Sequence, residues 1–186
     1  ERMGLPVIAT IHHPITVDRR LEIEHAQGLY KKLTLRRWYA FTDMQTEVAR
    51  RLERVITVSE NSFSDIVTDH KVDPHRMHIV PVGVDPELFV PMPEVKRRAG
   101  MLITTASADV AMKGLRYLLE AVAKLRTERP EVTLTVIGRP KEGGESARTI
   151  ASLGLEDAVT FVSGVSDQRI VELYAEAEVA VVPSLY

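Results

Sequence analysis

Lys113 and Gly114 stand where a short apolar run, Met101 to Thr105, has passed through Ala106-Ser-Ala-Asp-Val-Ala-Met-Lys113 and a helical pattern begins. Leu115, Leu118, Leu119, Val122 and Leu125 recur at a spacing of about 3.6 residues and so mark one face of a helix. The helix dipole and the unpaired backbone N–H groups at a helix start oppose a cation there. A phosphate held by those N–H groups, with the lysine as a point charge, resolves the conflict. A solvated lysine whose stem covers the first turn fits the same spacing, so both readings stand at this level.

His12 and His13 follow a β-branched run, Val7 to Ile11, which reads as a buried strand bounded by Pro6 and Pro14. That places them at a strand's C-terminal end, the edge where open α/β sheets bind ligands, although a hydrogen-bonded structural histidine suits the position as well. His70, His75 and His78 match no helix-face pair of metal ligands and read as loop and surface residues. No Asp-x-Asp occurs, so the metal-anchored way of holding a diphosphate has no evident ligands. With no cysteine in 186 residues, disulfides, thiolate catalysis and thiolate-bound metals are excluded, which fits a cytoplasmic protein.

The elements that must position these residues follow a regular order. Residues Leu21 to Arg54 are largely helical, with an irregularity at Gly28. Arg54 to Ser59 is a second strand, with Ser59, Asn61 and Ser62 as cap candidates for a helix that turns Phe63, Ile66 and Val67 inward. Met77 to Val82 is a third strand, leading into Gly83-Val-Asp-Pro-Glu-Leu-Phe89. Residues 91–100 carry prolines and charges without periodicity and read as a linker between a domain at 1–90 and another at 101–186. Beyond it come strands at Val132 to Ile137, Ala158 to Val162 and Val179 to Val182. Helices lie between them, one through Leu153 and one with Ile170, Leu173 and Tyr174 inward. Strands separated by single helices predict parallel sheets with right-handed crossovers. The loops at Ser107 to Lys113, Gly138 to Gly144 and Ser163-Gly164-Val165 then share one sheet edge.

The 45% hydrophobic composition and mean hydropathy of -0.06 suit a packed core, and a net charge of -2 gives no general pull toward nucleic acid. No apolar run reaches the length of about 18 residues that spans a bilayer. Lys31-Lys-Leu-Thr-Leu-Arg-Arg-Trp-Tyr39 mixes four cations with two aromatics; a solvated helix face explains it, and so does peripheral contact with an anionic membrane or acceptor. Glu1 is no initiator and Val181-Val-Pro-Ser-Leu-Tyr186 stops as a strand delivers its loop, so a fragment is expected.

Together these stretches resemble the GT-B glycosyltransferases of the family 4 (group 1) type. The resemblance rests on His12, Val55-Ile-Thr-Val-Ser-Glu60, Ile79-Val-Pro-Val-Gly-Val-Asp-Pro-Glu-Leu-Phe89 and Lys113-Gly-Leu-Arg-Tyr-Leu-Leu-Glu-Ala121. It continues through Leu134-Thr-Val-Ile-Gly138, Val159-Thr-Phe-Val-Ser-Gly164 and Val182-Pro-Ser-Leu-Tyr186. It implies two facing Rossmann-like domains, both incomplete here, with an acceptor on the first and a nucleotide-sugar donor on the second. The implied reaction is sugar transfer with retention at the anomeric carbon, without a metal or other cofactor, to a sugar, lipid or small-molecule acceptor. On that resemblance Lys113 pairs with the donor diphosphate and steadies the leaving group, and His12 reaches the transferred sugar. Gly138 and Arg139 lie along the nucleotide, Gly164 and Val165 offer backbone contacts near its base, and Gly83 lines the cleft.

Three departures from the family pattern bear on this. Ala108 stands where an arginine clamp on the phosphates is usual, and neighbouring Asp109 would repel a diphosphate, which leaves Arg139 as a substitute. Val82 replaces an asparagine before Gly83. The family's glutamate motif follows a segment like Pro183-Ser-Leu-Tyr186 and lies beyond these residues, so the fragment alone is expected to be inactive. A non-catalytic nucleotide-binding module and a GT-B sugar-nucleotide epimerase are the alternatives.

Overall fold

The computed structural model describes residues 5–106 and 110–185, and the chain divides into two units, Glu1–Gly83 and Val84–Tyr186. In the first unit β1 (Ile8–Thr10), β2 (Arg54–Thr57) and β3 (Met77–Ile79) form a parallel sheet in that order, with Ala9 opposite Val55 and Val55 opposite Met77. Three helices connect β1 to β2: α1 (Ile15–His25), α2 (Leu29–Trp38) and α3 (Phe41–Arg51). Gly28 precedes α2 with a φ of 84°, so the expected irregularity is the break between α1 and α2, at a backbone conformation glycine adopts without a Cβ penalty. Ser59 caps α4 (Glu60–Asp65) by accepting the Ser62 N–H at 3.2 Å. The same run continues as a wider π turn, Ile66–His70. Ala49, Val55, Ile66, Val72 and Met77 form this unit's core, with Phe63 and Val67 packed on it as the helical pattern required.

His70 departs from its expected place on the surface. It is 2% exposed, because the helix that begins at Ser59 runs on through the π turn and carries residue 70 under α3 instead of releasing it into a loop. Its Nδ1 lies 2.7 Å from the Thr46 hydroxyl. Burial lowers its pKa below 6.5, against the opposing pull of the Asp69 carboxylate. His75 and His78 are exposed, and among the described residues no three His, Asp or Glu side chains gather as a metal site.

The basic segment divides in two. α2 has no buried residue and Trp38 is 71% exposed, whereas Tyr39 is buried against Phe41, with ring centroids 6.2 Å apart. Burial and a hydrogen bond with Glu22 push the Tyr39 phenol up to about 12. No helix among the described residues is long and apolar enough to cross a membrane.

In the second unit β4 (Arg98–Thr105), β5 (Thr133–Ile137), β6 (Val159–Val162) and β7 (Ala177–Ala180) form a parallel sheet in the order β6-β5-β4-β7. The helices are α5 (Leu115–Arg126), α6 (Glu145–Leu153) and α7 (Asp167–Glu176). Leu115, Leu118, Leu119 and Val122 of α5 share a core with Leu134 and Val136 of β5, while Leu173 of α7 packs with Met101 and Ile103 of β4. Alternating side chains of the strands thus feed two separate cores, as a sheet covered on both faces requires. Leu125 is 37% exposed: at about 100° per residue it falls some 80° from Leu115 around the helix. On α7, Val171 rather than Tyr174 joins the buried set, because the Tyr174 hydroxyl reaches the Thr105 hydroxyl at 2.8 Å. β4 begins at Arg98, so residues 98–100 belong to the sheet although their composition resembles the linker before them.

The lowered pKa of His70 fixes a sign. An imidazole that resists protonation when folded contributes stability that is complete above the unfolded value of 6.5 and is lost as the pH falls from there through the lower folded value. Melting temperature should drop between pH 7.5 and 5.5, and His70→Gln should flatten that part of the profile; an unchanged slope in the variant would remove His70 as its cause.

Candidate functional site

The strand order of the second unit sets the site. The chain passes from β4 outward through β5 to β6, then returns to add β7 on the other side of β4, so the strand order reverses between β4 and β7. A crevice opens at such a switch point, outside the carboxyl ends of the strands, and it is the ligand-binding position of open α/β sheets. The strand ends are level: Thr105 pairs with Ile137, Ile137 with Val162, and Ile103 with Ala180. Lys113, Gly138, Arg139, Gly164 and Val165 therefore all occupy one edge, as their positions after strands required.

Lys113 closes a short 3-10 turn, Ala111–Lys113, and its N–H donates to the Val110 carbonyl at 2.9 Å. Gly114 follows as the N-cap of α5 with a φ of 66°. The Lys113 side chain is exposed and has no ion-pair partner among the described residues. Arg116, on the first turn of α5, is by contrast held by Glu120 at 3.0 Å and Glu145 at 3.6 Å. Lys113 thus precedes a helix whose N-cap, Gly114, offers no side-chain cap, so cation and dipole both favour an anion.

Backbone proximity organises the rest of the edge. A Cβ on Gly138 would lie 2.1 Å from the Ala106 carbonyl oxygen, so β5 can leave the sheet beside β4 only with glycine there. Its N–H is meanwhile bound to the Val162 carbonyl at 2.8 Å. Across the switch point, a Cβ on Gly114 would lie 2.0 Å from the Pro183 carbonyl oxygen, and the Leu185 N–H donates to the Met112 carbonyl at 2.9 Å. The loops after β4 and β7 are thereby joined. Gly114 was visible in the sequence as a helix-start residue, but its approach to Pro183, about 70 residues later, had no local signal there.

Arg139 is exposed and has no ion-pair partner among the described residues. Gly164 has a φ of 68° with open space around it, and Ser166 caps α7 by accepting the Arg169 N–H at 3.2 Å. Ala108 and Asp109, with Ser107, lie outside the described residues.

In the first unit His12 is exposed at the C-terminal end of β1, while adjacent His13 is engaged by Asp18 at 3.2 Å. Gly83 is exposed, and a Cβ there would meet nothing within 4 Å, so packing within this unit does not demand glycine. A cavity of about 200 Å³ beside β1 includes His13 and His70, and an open basin of about 760 Å³ between α1, α2, α3 and the π turn includes Arg19, Arg20 and Asp69. Neither includes His12. Within the basin Arg19 meets Asp43 at 3.2 Å, and Asp69 accepts from Thr16 at 2.5 Å and faces Arg20 at 3.7 Å.

Two family models adjoin on the chain: residues 1–88 match Glycosyltransferase Family 4, and residues 95–186 match Glycosyl transferases group 1. A relative from Mycolicibacterium hassiacum, named MMP alpha-(1->4)-mannosyltransferase, is 46% identical over 185 residues, which are 100% of this chain and 44% of that protein. A D-inositol 3-phosphate glycosyltransferase from Stackebrandtia nassauensis is 29% identical over 156 residues, covering 75% of this chain and 35% of the relative. The solved structure of WaaG, a glycosyltransferase involved in lipopolysaccharide biosynthesis, aligns with a TM-score of 0.72 at 21% identity, over 97% of this chain and 51% of that one. At that identity the likeness speaks for the fold. The chain spans less than half the length of the curated relatives it matches.

Gly138→Ala should cost about 1–3 kcal/mol in denaturant unfolding, the usual cost of forcing atoms into a packed site. A change below about 0.5 kcal/mol, the scale of an ordinary surface substitution, would show that the two backbones part freely.

Proposed function

This chain belongs to the GT-B glycosyltransferases of the group 1/family 4 type, and from that premise we propose that it is part of a retaining, metal-independent enzyme that transfers a sugar from a nucleotide-sugar donor. The observation that carries the donor reading is the exposed Lys113 ammonium, without an ion-pair partner among the described residues, before the N-terminus of α5 at the switch point of the second sheet. A nucleoside diphosphate leaving group gains negative charge as the glycosidic bond to it breaks. A fixed cation and backbone N–H groups aimed at that charge lower the barrier, since they need no reorganisation when it develops. Arg139 supplies a second cation at the same edge, Gly138 and Gly164 let the nucleotide approach the backbone, and Val165 borders the base. His12 and Gly83 serve the transferred sugar and its acceptor from the first unit. The relative that is 46% identical is named a mannosyltransferase, which makes a mannosyl donor the first to test.

Calorimetric titration of UDP, GDP and ADP into the full-length protein, with and without divalent metal, tests the donor reading. One of the three should bind without metal; binding of none would favour a non-catalytic module. Lys113→Ala should weaken the nucleoside diphosphate by about 10- to 100-fold, the range of a lost charged contact, and the bare nucleoside by less than about threefold. Equal losses would remove the phosphate role. His12→Ala should lower the transfer rate while nucleotide affinity stays near the parent value, and an unchanged rate would take His12 out of the site.

A further inference from the structure

We infer that Gly114 is a positioning residue for the donor site: it latches the loop after β7 to the Lys113 turn, so that the two sides of the switch-point crevice are held as one body. The inference rests on the donor reading above and adds to it a residue that need not touch the nucleotide.

Two backbone contacts make the latch. Gly114 adopts a φ of 66°, and the Pro183 carbonyl oxygen occupies the space where a Cβ would stand, 2.0 Å from that position. Two residues further on, the Leu185 N–H donates to the Met112 carbonyl at 2.9 Å. Met112 and Gly114 flank Lys113, so both contacts act on the turn that carries its side chain. The contacts join two loops about 70 residues apart in the chain, which emerge at the same sheet edge because β4 and β7 are parallel neighbours. A side chain at position 114 meets backbone rather than the end of a flexible side chain, so it must push the Pro183 segment or the Lys113 turn away. Either movement shifts the turn that carries the ammonium relative to the segment after β7. The affected ligand group is the part of a nucleotide lying nearest Lys113, the phosphates, rather than the base.

The test uses three variants of the full-length protein and two readouts. Gly114→Ala fills the contact, Leu185→Pro removes the N–H that Met112 accepts, and Gly154→Ala is the control. Gly154 has a φ of 63° with nothing within 4 Å of its Cβ position, so it carries the same backbone strain without the contact, and it lies at the end of α6 away from the crevice. The first readout is the ratio of nucleoside diphosphate to nucleoside monophosphate affinity, with the nucleotide chosen as the one the parent binds. Gly114→Ala and Leu185→Pro should each lower that ratio by about tenfold, and Gly154→Ala should leave it within about twofold. The second readout is hydrogen exchange at the Leu185 amide, which should be protected in the parent and in Gly154→Ala and unprotected in Gly114→Ala. A parent Leu185 amide that exchanges freely overturns the latch whatever the nucleotide result. A protected amide together with unchanged ratios in both latch variants leaves the contact but overturns its role. A parent that binds no nucleotide overturns the donor reading first, and the positioning role with it, while the exchange data still report whether the latch exists.

Discussion

The parallel pairing of β4 with a strand on each side is the constraint on which the second unit depends. Parallel strands need crossover connections, and the right-handed crossovers put α5 and α6 against one face of the sheet and α7 against the other. Because β4, β5, β6 and β7 all run the same way in nearly level register, every loop that follows a strand emerges at one edge. Lys113, Gly138, Arg139 and Gly164 are therefore neighbours through topology before any of them makes a contact. The position of the return to β7 then decides where along that edge a crevice opens.

The first unit uses the same logic with less sheet and more helix. Its three strands deliver His12 after β1 and Gly83 after β3, and the long connection from β1 to β2 is folded into three helices broken at Gly28 and at Ala40. That connection buries Val17, Ala26, Tyr39 and Ala49 and is also tied by polar contacts such as Arg19 with Thr42 at 2.8 Å. Ala49 joins it to the unit's apolar core with Val55, Ile66, Val72 and Met77.

How much of this was legible in the sequence depended on whether the cause was local. The strands, the helix start at Ser59, and the placing of Lys113 before a helix followed from runs, caps and periodicity within a few residues. What was hidden depended on distant partners. His70 reads as a loop residue because nothing nearby announces a π turn or the Thr46 hydroxyl that receives it. Tyr174 has the spacing of a core residue, yet its hydroxyl is drawn to Thr105 at the sheet edge. Gly138 could be marked as a nucleotide-lining residue, but the Ala106 carbonyl that also requires glycine there belongs to another strand's exit. The division between units at Gly83 and the start of β4 at Arg98 lie where composition changes gradually, so a linker read from composition and one read from backbone pairing share only part of their length.

The central strands also carry two hydroxyls that reach no partner among the described residues, Thr57 in β2 and Thr104 in β4, both at most 1% exposed. A hydroxyl buried without an acceptor costs free energy that an apolar group of the same shape does not, so valine at either position is neutral or favourable for folding. Thr104 lies beside Thr105 at the strand's outgoing end, and the sheet that aligns the proposed donor edge is thus less stable than its own shape allows. The fold therefore holds an unused reserve of stability at its centre, open to an engineer who needs tolerance for costly substitutions in the loops.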